Sequence, residues 1–172
     1  MEDKITIERI GLLHPAIRTE VLDIYRNEIC PALTKVFCRF AYTLRTFEEQ
    51  NALYAQGRTK LFDNNGNRLG IVTKAKGGQS LHNFGVAFDI VLIDGKSASW
   101  NTTKDYDGDG IADWMEVVNI FKSHGWEWGG DFRSIKDFPH LQKSFGYTWQ
   151  QLLAKYNNKE FLPFPNENYI KL

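Results

Sequence analysis

The sequence predicts a single α+β domain, a small antiparallel sheet flanked by helices, and three observations carry that prediction. Segments with helical spacing and short strand-like segments mix without a regular strand–helix–strand alternation, so an antiparallel sheet is expected. The most apolar strand candidate, Val86 to Ile93, runs into Asp94-Gly95, a turn that sends a strand back alongside itself. At 172 residues and 42% hydrophobic content, the chain has the length of one domain and enough apolar side chains for a core. Repeats, low-complexity stretches and linkers are absent from the sequence, so residues 1–172 are read as one unit.

The elements follow from local signals. From Pro15 to Ile29 apolar residues recur at helical spacing (Ile17, Val21, Ile24; Leu22, Tyr25, Ile29), Pro15 suits a first turn, and Pro31 is expected to end the helix. Val36 to Leu44 is rich in β-branched and aromatic residues and predicts a strand with Val36, Cys38, Phe40, Tyr42 and Leu44 on one face and Arg45 at its end. Thr46-Phe47-Glu48-Glu49 is a capping box opening a helix that should reach about Gln56, with Gly57 as its left-handed stop. Asp63 to Gly70 reads as a hairpin or loop, and Lys76-Gly77-Gly78-Gln79 as a flexible stretch. Trp114, Val117, Val118 and Phe121 mark a helix over Ile111 to His124 that stops at Gly125. A short strand is expected around His140 and Leu141, and a last helix from Trp149 to Tyr156.

Composition removes several function classes. The 21 basic and 21 acidic side chains cancel, which argues against a nucleic-acid partner, because binding a polyanion needs clustered positive charge. The balance hides an asymmetry: residues 1–86 hold 12 basic and 9 acidic groups, and the remainder reverses those numbers. Most of the acidic excess sits between Asp105 and Glu116. Cys30 and Cys38 are too few for a disulfide framework and read as buried apolar side chains. Nothing in Met1–Arg18 combines a basic start, an apolar run and a small-residue cleavage site, and no stretch approaches the roughly 18 apolar residues of a membrane span. Neither an export signal nor membrane insertion is therefore expected.

Three side chains look costly unless they are used. Asp89 interrupts a strand that otherwise wants burial, and a buried carboxylate needs a cation or donors. His82 stands seven residues earlier in Ser80-Leu81-His82-Asn83-Phe84-Gly85-Val86-Ala87-Phe88-Asp89, and His140 lies in Asp137-Phe138-Pro139-His140. Two imidazoles and a carboxylate are a complete protein ligand set for catalytic zinc, whose fourth position is left to water. Each residue alone has a plainer reading as an ordinary polar side chain. Together, with Gly85 and Ala87 as small residues at the strand entry, they favour the metal.

The pattern Ser80-x-His82-x-x-Gly85-x-Ala87-x-Asp89, then Trp128-Gly129-Gly130-Asp131-Phe132 and Asp137-x-Pro139-His140, resembles the zinc D,D/L,D-peptidases of bacterial cell walls. That group includes D-alanyl-D-alanine carboxypeptidases and the L-alanyl-D-glutamate endopeptidases of phage endolysins and autolysins. The resemblance extends upstream through Leu13-His14-Pro15 and Arg45-Thr46 with Glu49-Gln50-x-x-Leu53-Tyr54-Ala55-Gln56-Gly57-Arg58-Thr59. It implies a hedgehog/D-Ala-D-Ala-peptidase-like fold with the zinc site at the sheet, and His82, Asp89 and His140 as zinc ligands. It also implies Asp137 as general base and Arg45 facing the scissile carbonyl, with Ser80 near the substrate. Aspartate rather than glutamate at position 137 points to the endopeptidase branch. Trp128 is expected as a pocket wall, whereas His14 and His124 match no ligand position, and His124 is expected at a helix C-terminus.

Asp105, Asp107, Asp109, Gly110, Asp113 and Glu116 fit positions 1, 3, 5, 6, 9 and 12 of a calcium-loop template, with the Ile111 carbonyl at position 7. Five carboxylates in such a short loop repel one another without a cation, so calcium is favoured over a solvated acidic loop in which Asp113 caps a helix. Lys96 to Lys104 is polar and turn-like, which leaves the loop without the incoming helix of a paired EF-hand.

The sequence thus predicts a monomeric zinc peptidase that cuts the peptidoglycan stem peptide, most directly at L-alanyl-D-glutamate, with calcium in the loop inserted at 105–116. It would act at the bacterial cell wall and remain cytoplasmic until released. D-alanyl-D-alanine carboxypeptidase or dipeptidase activity is the nearest alternative, and a non-catalytic, calcium-stabilised wall-binding module is a further one. A two-His, one-carboxylate iron oxygenase is disfavoured because its close His-x-Asp/Glu pair is missing.

Overall fold

The structure, a computed structural model, describes residues 1–133 and 135–172. Its sheet is built around β2 (Ala87–Asp94), which pairs antiparallel with β1 (Phe37–Tyr42) along one edge. The other edge is shared: β5 (His140–Gln142) pairs with the start of β2, and β3 (Ser97–Ser99) with its end. A two-residue β4 (Glu127–Trp128) adds to the outside of β5. Every strand pairing described within this sheet is antiparallel, as expected, and the Asp94-Gly95 turn connects β2 to β3.

Helices cover this sheet. Helix α1 (Lys4–Ile10) has no counterpart in the sequence-based reading. Asp3 caps it, accepting from the Thr6 backbone N–H at 3.2 Å, while Arg39 of β1 grips the same carboxylate through two bonds of 2.9 and 2.8 Å. Helix α2 (Pro15–Ile24) continues beyond its expected stop, through a π-helical turn at Tyr25–Ile29 and a short α3 (Cys30–Ala32). The helix ends at Ala32, one residue past Pro31. Pro31 has no N–H to offer the ladder, and just before it the Cys30 N–H reaches back five residues to the Tyr25 carbonyl.

Helix α4 (Phe47–Ala55) opens with the expected reciprocal cap between Thr46 and Glu49. At its end Gly57 takes a φ of +69°, and a Cβ there would lie 2.6 Å from the backbone of Gly70, so both conformation and space require glycine. The 63–70 segment is a hairpin-like loop, bridged between Phe62 and Arg68. Helix α5 (Asp113–Ser123) and helix α6 (Trp149–Asn157) complete the set.

The core lies between the sheet and α2 and α5. Phe40 of β1 stacks on Phe88 of β2 with ring centroids 4.2 Å apart, and Phe121 of α5 and Trp126 close around Phe88. A smaller apolar cluster, Phe84, Val86, Leu152 and Ile170, packs α6 and the C-terminal segment beneath the entry to β2. Cys38 is buried and Cys30 half-buried, both as thiols.

One departure from the expected strand bears on function. The pairing of β1 with β2 slips between Phe40 and Tyr42, a bulge that breaks the alternation. Tyr42 is consequently 60% exposed, Thr43 is buried, and Arg45 stands three residues beyond the strand rather than at its terminus. The same bulge aims the Thr43 carbonyl at His82.

Candidate functional site

Asp89 and His140 are directly opposed partners in the β2–β5 ladder, so the antiparallel register alone sets the carboxylate beside the imidazole. His82 arrives on a 3₁₀ turn at Leu81–Phe84, ended by Gly85 with φ +70°. A Cβ at Gly85 would sit 2.9 Å from the His14 nitrogen, so this turn docks against the start of α2 only with glycine. Asn83 fixes the turn from the other side, its Oδ1 accepting from the Gly78 N–H and its amide donating to the Arg45 carbonyl.

Three donor atoms converge. His82 Nε2 lies 3.2 Å from Asp89 Oδ1 and 3.1 Å from His140 Nδ1, and the third edge, His140 Nδ1 to Asp89 Oδ1, is 3.3 Å. Zinc bonds of ~2.0–2.1 Å place tetrahedral donors about 3.3–3.4 Å apart, so the triangle has nearly the size that ion requires. The outer ring nitrogens are also engaged. His82 Nδ1 is 2.8 Å from the Thr43 carbonyl, and His140 Nε2 is 3.0 Å from Gln142 Oε1. Donating the outer N–H in this way leaves each inner nitrogen with a lone pair toward the centre, which is how metal-bound histidines are held. The donor set, its spacing and its tautomers all fit zinc.

Charge is concentrated here. Burial works against ionising Asp89, but the two imidazoles hold its carboxyl far below the usual carboxylate range. Burial likewise opposes charge on His140, yet hydrogen bonding to Asp89 and the charge of that carboxylate push it up. Partial removal from water, with Asp89 adding repulsion, raises the Asp137 carboxyl against the pull of His140, His82 and Arg45.

The triad opens into a cleft of about 720 Å³. Arg45, Ser80 and Asp137 all line it, as does a long wall from Ile71 to Ala75. Asp137 sits in a tight turn, its N–H bonded to the Gly129 carbonyl at 3.0 Å and its own carbonyl accepting from the His140 N–H at 3.2 Å. A side chain at Gly129 would collide with the Asp137 carbonyl and come within 3.0 Å of the Cβ atoms of Asp137 and His140. The glycine therefore lets the turn approach β5, which carries His140.

Trp128 is placed differently from its expected role. It is not among the residues lining the cleft; its indole N–H donates to the Phe138 carbonyl at 2.7 Å, bracing the Asp137–His140 turn from outside. The apolar lining on that side comes from Phe132 and Ile135. His14 caps α2 through Nδ1 and reaches the Ile170 carbonyl through Nε2, while His124 caps the end of α5 and contacts Glu28 at 2.7 Å.

Gln50 follows Glu49 in the first turn of α4. It is fully buried; its Oε1 accepts from Arg45 Nη1 at 2.9 Å and its Nε2 donates to the Ala75 carbonyl at 2.8 Å. It thus ties Arg45 to the far wall of the cleft, while the second guanidinium nitrogen stands 3.8 Å from Asp89. A lone glutamine one turn into a helix carries no sequence signal for this. Gln142 also escaped notice: its Oε1 meets His140 and its amide donates to Glu127 at 2.9 Å.

The acidic loop forms two overlapping groups of oxygens, Asp105, Asp107 and Asp109, then Asp107, Asp113 and Glu116, each with donor atoms within 4.8 Å of one another. Backbone N–H groups of Gly108 and Gly110 hold the Asp105 carboxyl below its ordinary range. Burial and the surrounding aspartates push Glu116 up to about 7. No residue of 105–116 lines the cleft.

Residues 73–143 match the family model described as D-alanyl-D-alanine carboxypeptidase. The chain is 50% identical over 100 residues to the peptidoglycan L-alanyl-D-glutamate endopeptidase CwlK of Bacillus subtilis, covering 57% of this chain and 55% of that protein. It is 31% identical over 106 residues to the L-alanyl-D-glutamate peptidase of Listeria phage A118, covering 61% of this chain and 30% of the phage protein. The chain thus spans about half or less of these curated relatives. The L-Ala D-Glu endopeptidase ChiX of Serratia marcescens shares the fold, with a TM-score of 0.54 at 22% identity over 83% of this chain and 88% of that one.

Proposed function

We propose that this chain, a member of the zinc D,D/L,D-peptidase family of cell-wall enzymes, hydrolyses the L-alanyl-D-glutamate bond of the peptidoglycan stem peptide. The observation that carries the reading is the His82–Asp89–His140 triangle, sized for zinc and opening into a cleft that also holds Arg45 and Asp137. The whole of residues 1–172 would serve as one peptidase unit, with the acidic loop inserted between β3 and α5. Among the described residues no helix is long and apolar enough to cross a membrane.

His82, Asp89 and His140 would hold the zinc, which when bound supplies a Lewis acid and lowers the pKa of its water toward about 7. The protein's own groups then divide the remaining work. Arg45, fixed by Gln50, presents guanidinium N–H groups where negative charge develops on the scissile carbonyl oxygen. Asp137 takes the proton from the attacking water and returns it to the departing amine, a role its carboxyl can fill because it lines the same cleft as the triangle. Ser80 offers a hydroxyl to a substrate carboxylate, and Ile71, Val72 and Ile135 give the cleft apolar surface for the peptide.

D-alanyl-D-alanine carboxypeptidase activity is the second reading, favoured by the description of the matching family model. Zinc analysis together with a wall-lysis assay tests the proposal. The purified chain should carry a single equivalent of zinc, lose lysis on chelation and regain it with added zinc, while His82→Ala should lack both metal and lysis. Lysis undiminished by complete zinc removal would overturn it.

A further inference from the structure

The acidic loop carries more than its sequence pattern. Asp113 is fully buried, and although its Oδ2 accepts from the Tyr106 N–H at 2.7 Å, its Oδ1 meets no donor. Asp107 Oδ1 and Glu116 Oε2 are equally shielded from water and equally without a partner. These three carboxylates are one of the two groups that converge within 4.8 Å. Negative oxygens sequestered together are among the costliest arrangements a fold can hold, unless a cation sits between them.

We propose that residues 105–116 bind one calcium ion that clamps the start of α5 to the rest of the domain, a site separate from the zinc cleft. The donor chemistry is all oxygen: the carboxylates of Asp105, Asp107, Asp109, Asp113 and Glu116 with the carbonyl of Ile111. Calcium–oxygen bonds of ~2.3–2.6 Å put oxygens on opposite sides of the ion about 5 Å apart, matching convergence within 4.8 Å, whereas magnesium demands a tighter octahedron and keeps its waters. Asp105 is preset for the role, its two oxygens accepting from the N–H groups of Gly108 and Gly110 at 2.7 and 3.0 Å so that the loop curls around one centre.

The clamp has two ends. Glu116 and Asp113 belong to α5, whose Trp114, Val117, Val118 and Phe121 are buried in the core. Asp107 Oδ2 accepts from the Thr34 hydroxyl at 2.8 Å, tying the loop to the segment between α3 and β1. An ion shared by Asp107, Asp113 and Glu116 would join those parts. It would act on stability, because none of these residues lines the cleft.

The test uses the full chain, saturated with zinc and stripped of calcium. Calcium should raise the melting temperature by about 5–10 °C once it exceeds its Kd a hundredfold, with zinc content unchanged. Terbium should show luminescence sensitised through Tyr106 and Trp114, displaced by calcium and little affected by magnesium. Asp113→Asn and Glu116→Gln should abolish the luminescence and the calcium-dependent shift. Both should melt above the calcium-free wild type, because each removes one of the crowded charges. Asp109→Asn, on the exposed side, should weaken binding in a normally folded protein. Absence of a calcium-dependent shift and of terbium luminescence at millimolar ion would overturn the proposal. Full calcium response in Asp113→Asn would overturn it equally.

Discussion

Replacing Gln50 by leucine isolates the positioning of Arg45 from metal binding. The wild-type amide accepts from Arg45 at 2.9 Å and donates to the Ala75 carbonyl at 2.8 Å, with a longer approach of 3.4 Å to the Thr73 hydroxyl, and Leu can make none of these. Losing one bond from a charged donor and one to a half-buried carbonyl costs about 2 kcal/mol, so the melting temperature should fall by about 4–8 °C. Arg45 would keep only its looser approach to Asp89 at 3.8 Å and its place over the Tyr42 ring, 5.4 Å to the centroid. A fixed donor to a developing oxyanion is worth about 10²–10³ in kcat, and one that remains but wanders should lose about 10–100-fold. Steady-state kinetics on a stem peptide, with zinc measured on the same sample, should show the fall in kcat, little change in KM, and full zinc content. Gln50→Glu separates the two bonds, since its carboxylate still accepts from Arg45 but cannot donate to Ala75. It should keep more of the kcat than Gln50→Leu while losing comparable stability. Wild-type kcat in Gln50→Leu at full zinc content would refute the reasoning.

Three further outcomes follow from the site and its supports. Asp137→Asn should retain zinc yet lose about 10²–10⁴ in kcat, checked by metal analysis beside a turnover assay. Gly129→Ala should cost about 1–3 kcal/mol through the forced contact with the Asp137 turn, read as a lower melting temperature with reduced kcat. Asp3 has its carboxyl held below the ordinary range: burial opposes this, but the bonds from Arg39 and Thr6 outweigh it. Its stabilising effect is therefore full above its unfolded pKa of about 3.9 and lost as pH falls through the lower folded value. The melting-temperature gap between wild type and Asp3→Asn should hold from neutrality to about pH 5 and close at lower pH.

Much of the convergence of the candidate site was legible because its signals are local or strongly constrained. Asp89 stood out as a charge in a buried strand, His82 lay a fixed offset before it, and Pro139-His140 lay in a short stiff segment. The antiparallel pairing then set His140 opposite Asp89. Gly57 and the Thr46–Glu49 cap were readable for the same reason, since each satisfies a backbone need within a few residues.

What escaped depends on contacts between distant segments. The bulge after Phe40 turns Tyr42 outward and Thr43 inward, and nothing in Val36 to Leu44 announces it, because both registers offer an apolar face. Gln50 gains its role from Ala75, which lies far along the chain. Trp128 was assigned to the cleft by its aromatic character, whereas the Phe138 carbonyl it supports determines its place. Helix α1 is short, and although Asp3 caps it locally, Arg39 holds that carboxylate and the Phe40 N–H meets the Thr6 hydroxyl, contacts that only β1 supplies.

The bond that is cut tests the account most directly. Purified peptidoglycan digested by the zinc-loaded chain should release fragments whose mass spectra show stem peptides newly beginning at D-glutamate, with L-alanine left on the glycan. Asp137→Asn should release none at the same zinc content. Free D-alanine as the sole product, with the L-alanyl-D-glutamate bond intact, would contradict the endopeptidase assignment, and an undigested polymer would contradict peptidase function altogether.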